Sequence, residues 1–165
     1  MIKLIGRQRA GAIAGIAAAA MTTAPALASP GSGTITAETY VTGKLKGGNQ
    51  QNSDRVKFQT KDDTLVRVQK LTFNPGSKTG WHHHPGIVIV TVQSGTIQMM
   101  HSDCSIHEYG PGLEHGSVFV EGEARVHEAG SAGGAVVYAT YVAPDASPPV
   151  FRIEDPVPFC AQPQH

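Results

Sequence analysis

Charge is scarce in this chain and has no preferred sign. Only 16% of the 165 residues are charged, Lys and Arg match Asp and Glu at 13 each, and no basic run occurs. That argues against nucleic acid and anionic membrane as partners. Cysteine is almost absent, with Cys104 and Cys160 the only two. Beyond the first 28 residues there is no convincing helical period and no internal repeat, which argues against a helical fold. No apolar run comfortably reaches the ~20 residues of a membrane-spanning helix.

What the N-terminus does have is the three-part layout of a secretory leader. Lys3, Arg7 and Arg9 give a positive start, residues 10–24 carry no charge, and Ala26-Leu27-Ala28 is a small-x-small cleavage site. An uncleaved anchor is the alternative. The two arginines are not adjacent, so a twin-arginine signal is not supported. Residues 1–28 are therefore expected to be a signal peptide, and the protein secreted or periplasmic, with no membrane attachment after cleavage. Without Lys3, Arg7 and Arg9 the mature chain has 10 basic against 13 acidic residues, a net −3. An exported chain with an even cysteine count invites a Cys104–Cys160 disulfide. Closing so long a loop is worth about 4 kcal/mol in the entropic model, a figure that strain often reduces.

The mature chain is punctuated by turns and reads as short strands. Thr34–Thr42 alternates as an edge strand, and the Gly-, Asn- and Gln-rich residues 43–54 read as a loop. Val66 and Val68 alternate and then Leu71 and Phe73 do so out of phase, which suggests a bulge at Gln69-Lys70. Gly86–Gln93 is strongly β-branched, and Thr96–His101 follows it as an expected hairpin partner. Ser117–Val120, Arg125–Glu128 and Ala135–Ala143 are further strands, and Gly130–Gly134 is a turn. This spacing predicts an all-β barrel or jelly roll. The expected organisation is residues 29–63 as an N-terminal strand and loop, 64–143 as the barrel, and 144–165 as a Pro-rich tail on its outside.

Chemistry concentrates in Gly80-Trp81-His82-His83-His84-Pro85-Gly86. On a strand, His82 and His84 project from one face and His83 from the other. Two imidazoles on one face begin a metal site, and His127 in Ala124-Arg125-Val126-His127-Glu128 is the third candidate. His101, His107 and His115 sit near turns and are expected to face solvent; His165 is terminal. Trp81, Phe119 and Tyr138 are expected in the core or lining a pocket.

Gly76, five residues, His82-x-His84 and then Gly95 resemble the first motif of the cupin superfamily, and Gly116 with His127 resembles its second. The resemblance covers about residues 64–143. It implies a cupin-type jelly-roll barrel, the double-stranded β-helix. It also implies a divalent ion (Fe, Mn, Zn, Ni or Cu, not distinguished) on His82, His84 and His127, a small-molecule ligand or substrate, and a homodimer paired through outer sheets. The departures are specific. The Glu of the first motif falls at Val88 or Ile89, and the Pro, Gly and Asn of the second fall at Gly122, Ala124 and Ser131. Glu121 and Gln98 are the residues able to replace the lost ligand, although each reads first as a surface residue.

Two functions are open at this stage. One is a metalloenzyme on a small organic molecule, of the dioxygenase kind; the other is a non-catalytic small-ligand module. Whether the chain is an enzyme, and which residues would be catalytic, is not given by the sequence. Glu108, Glu114, Glu121 and Glu128 are unplaced acid–base candidates. Glu121 discriminates: turned inward near an ion it favours the enzyme, turned to water it favours the binding module.

Overall fold

A computed structural model describes residues 29–162 except Glu123; the expected signal peptide and His165 lie outside the described residues. Among the described residues thirteen strands form, in chain order β1 (Ile35–Leu45), β2 (Asn49–Asn52), β3 (Lys57–Thr60), β4 (Thr64–Phe73), β5 (Ser77–Lys78), β6 (His82–His83), β7 (Ile87–Gly95), β8 (Ile97–His101), β9 (Ile106–Tyr109), β10 (Val118–Glu121), β11 (His127–Ser131), β12 (Ala135–Pro144) and β13 (Ile153–Glu154). The only helical piece among the described residues is a 3₁₀ turn at Phe159–Ala161.

Two antiparallel sheets face each other. One has the order β1-β4-β12-β7-β10; the other runs β13-β6-β11-β8-β9, with β5 also on β11. This is the all-β jelly-roll barrel that the strand spacing predicts. Period-two alternation places Val88, Val90 and Val92 of β7 inward and leaves Ile87 and Ile89 outside. With Phe73, Ile97, Met99, Phe119 and Val137 they form one continuous core between the sheets.

Several expectations are corrected. Residues 43–54 are not all loop, because β2 pairs with β3 as a polar hairpin. The bulge lies in β1, between Thr39 and Val41, while β4 runs in unbroken register along β12. Leu71 and Phe73 therefore point inward without any break of phase, and Val66 and Val68 lie on the opposite, outer face. β8 is not the hairpin partner of β7; it crosses to the other sheet and pairs with β9 and β11, as a jelly roll requires. β11 begins at His127 and runs through Gly130, so the turn is shorter than Gly130–Gly134. Tyr138 is on the outer face beside Tyr40, whereas Trp81 and Phe119 are buried as expected.

The chain after β12 makes two fixed contacts with the sheets. β13 pairs with β6, and Cys160 is bonded to Cys104 in the turn between β8 and β9. At Gly86, a β-carbon would stand 2.1 Å from the Val142 carbonyl oxygen. Only glycine permits that approach of the chain leaving His84 to β12.

Candidate metal centre

β6 and β11 are adjacent, and His127 is the register partner of His82. That pairing, with the two-residue step to His84, brings three buried imidazoles together. Their rings lie 5.0 Å (82–84), 4.4 Å (82–127) and 5.4 Å (84–127) apart between centroids. One nitrogen from each lies within 4.8 Å of the others. His83 faces away, as alternation demands, and its Nδ1 donates to Asp155 at 2.6 Å.

Each of the three rings is oriented by a backbone carbonyl. His82 Nδ1 donates to Gly80 at 2.9 Å, His84 Nδ1 to Phe151 at 2.7 Å and His127 Nδ1 to Arg125 at 2.8 Å. Gly80 adopts φ +75°, and a β-carbon there would lie 2.3 Å from the Ser29 carbonyl oxygen. With every Nδ1–H committed, the tautomer is fixed and each Nε2 offers a lone pair. This outer-shell orientation is what metal-ligating histidines require.

Glu121 was read first as a surface residue and is instead part of the cluster. Its side chain is only 11% exposed, with oxygens 3.1 Å from His84 Nε2 and 3.2 Å from His127 Nε2. It lies in β10 directly across from Val88 of β7. A carboxylate thus stands beside the histidines, on the strand next to the first-motif positions. Val88 is in the core, Ile89 is 41% exposed, and neither contributes a polar atom. Alternation held the signal: Phe119 points inward, so Glu121, two residues on, must do so too. Ending the strand at Val120 hid it.

Charge in the cluster explains why an ion fits. Burial raises the Glu121 pKa, but His127 and His84 outweigh it and hold the group at about 2. Burial, with the neighbouring His127 and Arg152 charges, lowers His82 to about 3, so it is a neutral ligand at pH 7. His127 is also pulled down by burial, but Glu121 raises it above its ordinary value. His127 Nε2 is buried and makes no hydrogen bond of acceptable geometry. Two nitrogen lone pairs facing a carboxylate need positive charge between them. A divalent ion held there would supply it. Three imidazoles and one carboxylate form a donor set suited to a transition-metal ion.

Two cavities meet at Glu121 and Phe119. The outer one, about 300 Å³, adjoins His127 and is bounded by Met99, His101, Tyr109 and Arg125. The inner one, about 60 Å³, adjoins His82 and His84 and is closed by apolar core residues with Tyr141 and Arg152. Burial, then the Glu121 charge, pushes the Tyr141 phenol up to about 12, so it keeps its proton. His101 does not face solvent freely: it is half-buried, borders the outer cavity and continues through His107 to exposed His115 as a row of rings. Gln98 is exposed and donates to Glu108, so it is no ligand. Glu108 and Glu114 are on the surface, and Glu128 pairs with Lys78. Of the four acid–base candidates only Glu121 reaches the centre.

No protein-family model matches the chain, and no curated protein does. Solved structures do match. A conserved Streptococcus pyogenes protein of unknown function, SPY1581, is 18% identical with a TM-score of 0.47, over 68% of this chain and 77% of that one. An uncharacterized Klebsiella pneumoniae protein with a double-stranded β-helix domain is 23% identical with a TM-score of 0.39, over 49% and 63%. Salicylate 1,2-dioxygenase from Pseudoaminobacter salicylatoxidans is 15% identical with a TM-score of 0.39, over 46% of this chain but 19% of the enzyme. The chain thus spans less than two thirds of the last two proteins.

Proposed function

We propose that this chain is an exported metalloenzyme of the cupin type, holding a divalent ion on His82, His84 and His127 with Glu121 beside them, and acting on a small organic molecule. The observation that carries the proposal is the commitment of all three clustered Nδ1 atoms to carbonyls, which leaves the Nε2 atoms available, with the Glu121 carboxylate against those of His84 and His127. Glu121 favours the enzyme over the non-catalytic module, because it turns inward to the histidines and borders both cavities rather than facing water. A bound ion would supply Lewis acidity, polarising an oxygen of the substrate. The chain's own residues do the rest. Met99, Phe119 and Tyr109 give the outer cavity an apolar wall suited to a small ring or short chain. Arg125 at that cavity offers a cation to an anionic group. The Tyr141 phenol holds a proton on the inner side. Dioxygenase-like chemistry is the leading reaction class and rests on the likeness in motif alone.

Export belongs to the same proposal. The leader-like N-terminus and a disulfide between the only two cysteines support it; an intact mass starting at Ser29 is expected, and Met1 retained would overturn it. For the metal, elemental analysis of protein purified without added metal is expected to find about one transition-metal ion per chain, lost in His84→Ala. Metal-free wild-type protein that also fails to take up added Co²⁺, Zn²⁺, Mn²⁺ or Fe²⁺ would refute the reading.

A further inference from the structure

The tail after β12 is too poorly buried to be held by its apolar residues. Phe151 is the one buried among them; Val150 and Ile153 are over a third exposed and Phe159 is 80% exposed. Yet its polar contacts fall, one after another, on the segment that carries the ligands. The Phe151 carbonyl accepts the His84 Nδ1 proton at 2.7 Å. Arg152 Nη2 donates to the Thr79 carbonyl at 2.6 Å, just before Gly80, whose own carbonyl orients His82. β13 pairs with His82 and His83, giving that short strand its second neighbour. Asp155 takes the His83 Nδ1 proton, and its backbone N–H donates to the Trp81 carbonyl at 2.9 Å.

The far end of the tail is covalently fixed to the other side of the centre. Cys160 is bonded to Cys104, whose N–H donates to the His101 carbonyl at 2.8 Å. His101 is the register partner of His127, and Ser102 N–H donates to the Val126 carbonyl at 3.1 Å. One end of the tail therefore holds the strand of His82 and His84, and the other holds the turn beside His127.

We propose that residues 145–160 are the positioning element of the histidine centre and that the Cys104–Cys160 bond is its latch, so that metal affinity follows the redox state of this pair. This rests on the metal-binding reading above. Reduction by a dithiol breaks the S–S bond and places a hydrogen on each sulfur, while the dithiol leaves as its own cyclic disulfide. The freed tail no longer presents the Phe151 carbonyl to His84, and that imidazole loses its fixed tautomer and direction. Removing such an outer-shell partner costs roughly 10–100-fold in metal affinity. Exchange with a disulfide oxidant, which leaves as its own dithiol, re-forms the Cys104–Cys160 bond and completes the site in an oxidising compartment.

The test compares Co²⁺ affinity, by competition with a chelating dye, and the visible ligand-field spectrum. It uses full mature chain in three forms: oxidised wild type; protein reduced with dithiothreitol, capped with iodoacetamide and desalted; and disulfide-intact Asp155→Asn. Circular dichroism fixes a temperature at which each is folded. The expected result is affinity at least 10-fold weaker in the capped protein with a changed spectrum, and a smaller loss in Asp155→Asn. A purely structural latch would lower the melting temperature and leave affinity and spectrum of the folded protein unchanged, which would overturn the proposal. If the capped protein does not fold, Asp155→Asn decides: unchanged affinity and spectrum there overturn it. Oxidised wild type that binds no Co²⁺ overturns the metal reading itself, a different result from equal binding in all forms.

Discussion

The two sheets of this barrel are held in different ways. The β1-β4-β12-β7-β10 sheet has four strands of nine or more residues in near-continuous register, with alternating apolar side chains turned into the core. The histidine-bearing sheet includes three two-residue strands, β5, β6 and β13. Its geometry comes from carbonyl–imidazole hydrogen bonds, two close backbone approaches at Gly80 and Gly86, and the tail. One sheet is fixed by burial, which is strong and non-directional. The other is fixed by directional contacts, individually worth about 1 kcal/mol but able to aim a nitrogen.

The contrast predicts separable effects. The largest should come from His127→Ala, expected to weaken metal binding by about 100-fold or more, given that even outer-shell partners cost 10–100-fold. His83→Ala should change it only a few-fold through Asp155; equal damage from the two, measured by dye competition, would erase the distinction. Next is the core side of the other sheet: Phe73→Ala in β4 should cost about 3–5 kcal/mol in denaturant unfolding while leaving the affinity of the folded protein alone. A loss of affinity at a temperature where the variant is folded would show that the sheets are not separable.

Acid should affect the metal-free protein through the ligand sheet. His82 is lowered from its ordinary value to about 3, chiefly by burial. Between those values the unfolded chain binds a proton that the folded one refuses. The stability His82 contributes is thus present above about pH 6.5 and is lost as pH falls toward 3. Glu121 adds a loss below its unfolded value of 4.5, because its folded pKa is held down. His127, raised by Glu121, works the other way and stabilises at low pH, its contribution fading as pH rises through its folded pKa. Denaturant midpoints of wild type and His82→Ala should converge on acidification; a constant gap would contradict the assignment. The smallest effect expected is at Ala124, where the second-motif glycine is absent but φ is +52°. Ala124→Gly relieves roughly 1 kcal/mol of left-handed strain against a comparable rise in unfolded-chain entropy, so stability should rise by less than about 1 kcal/mol. A loss greater than that would show that Ala124 is not strained.

The same contrast marks what was legible in the sequence. Alternation in β7 and β12 announced the buried sheet, and the His-x-His step put His82 and His84 on one face. The partner of β8 was not legible, because adjacency in sequence favours a hairpin while the jelly roll sends the strand to the opposite sheet. Glu121 was named as a candidate, but its inward direction was hidden by ending the strand one residue short. The roles of Phe151 and Arg125 left no signal at all, since it is their backbone carbonyls that orient His84 and His127, and any residue type supplies a carbonyl.

The account turns on whether four side chains converge on one ion. A crystal structure of the exported protein loaded with a single metal tests this most directly. It should show the ion bound by Nε2 of His82, His84 and His127 at about 2.0–2.2 Å, with a Glu121 oxygen at or next to the ion, and Nδ1 atoms still on the Gly80, Phe151 and Arg125 carbonyls. An ion held through Nδ1, held by His83, or bound with His127 left out would contradict it.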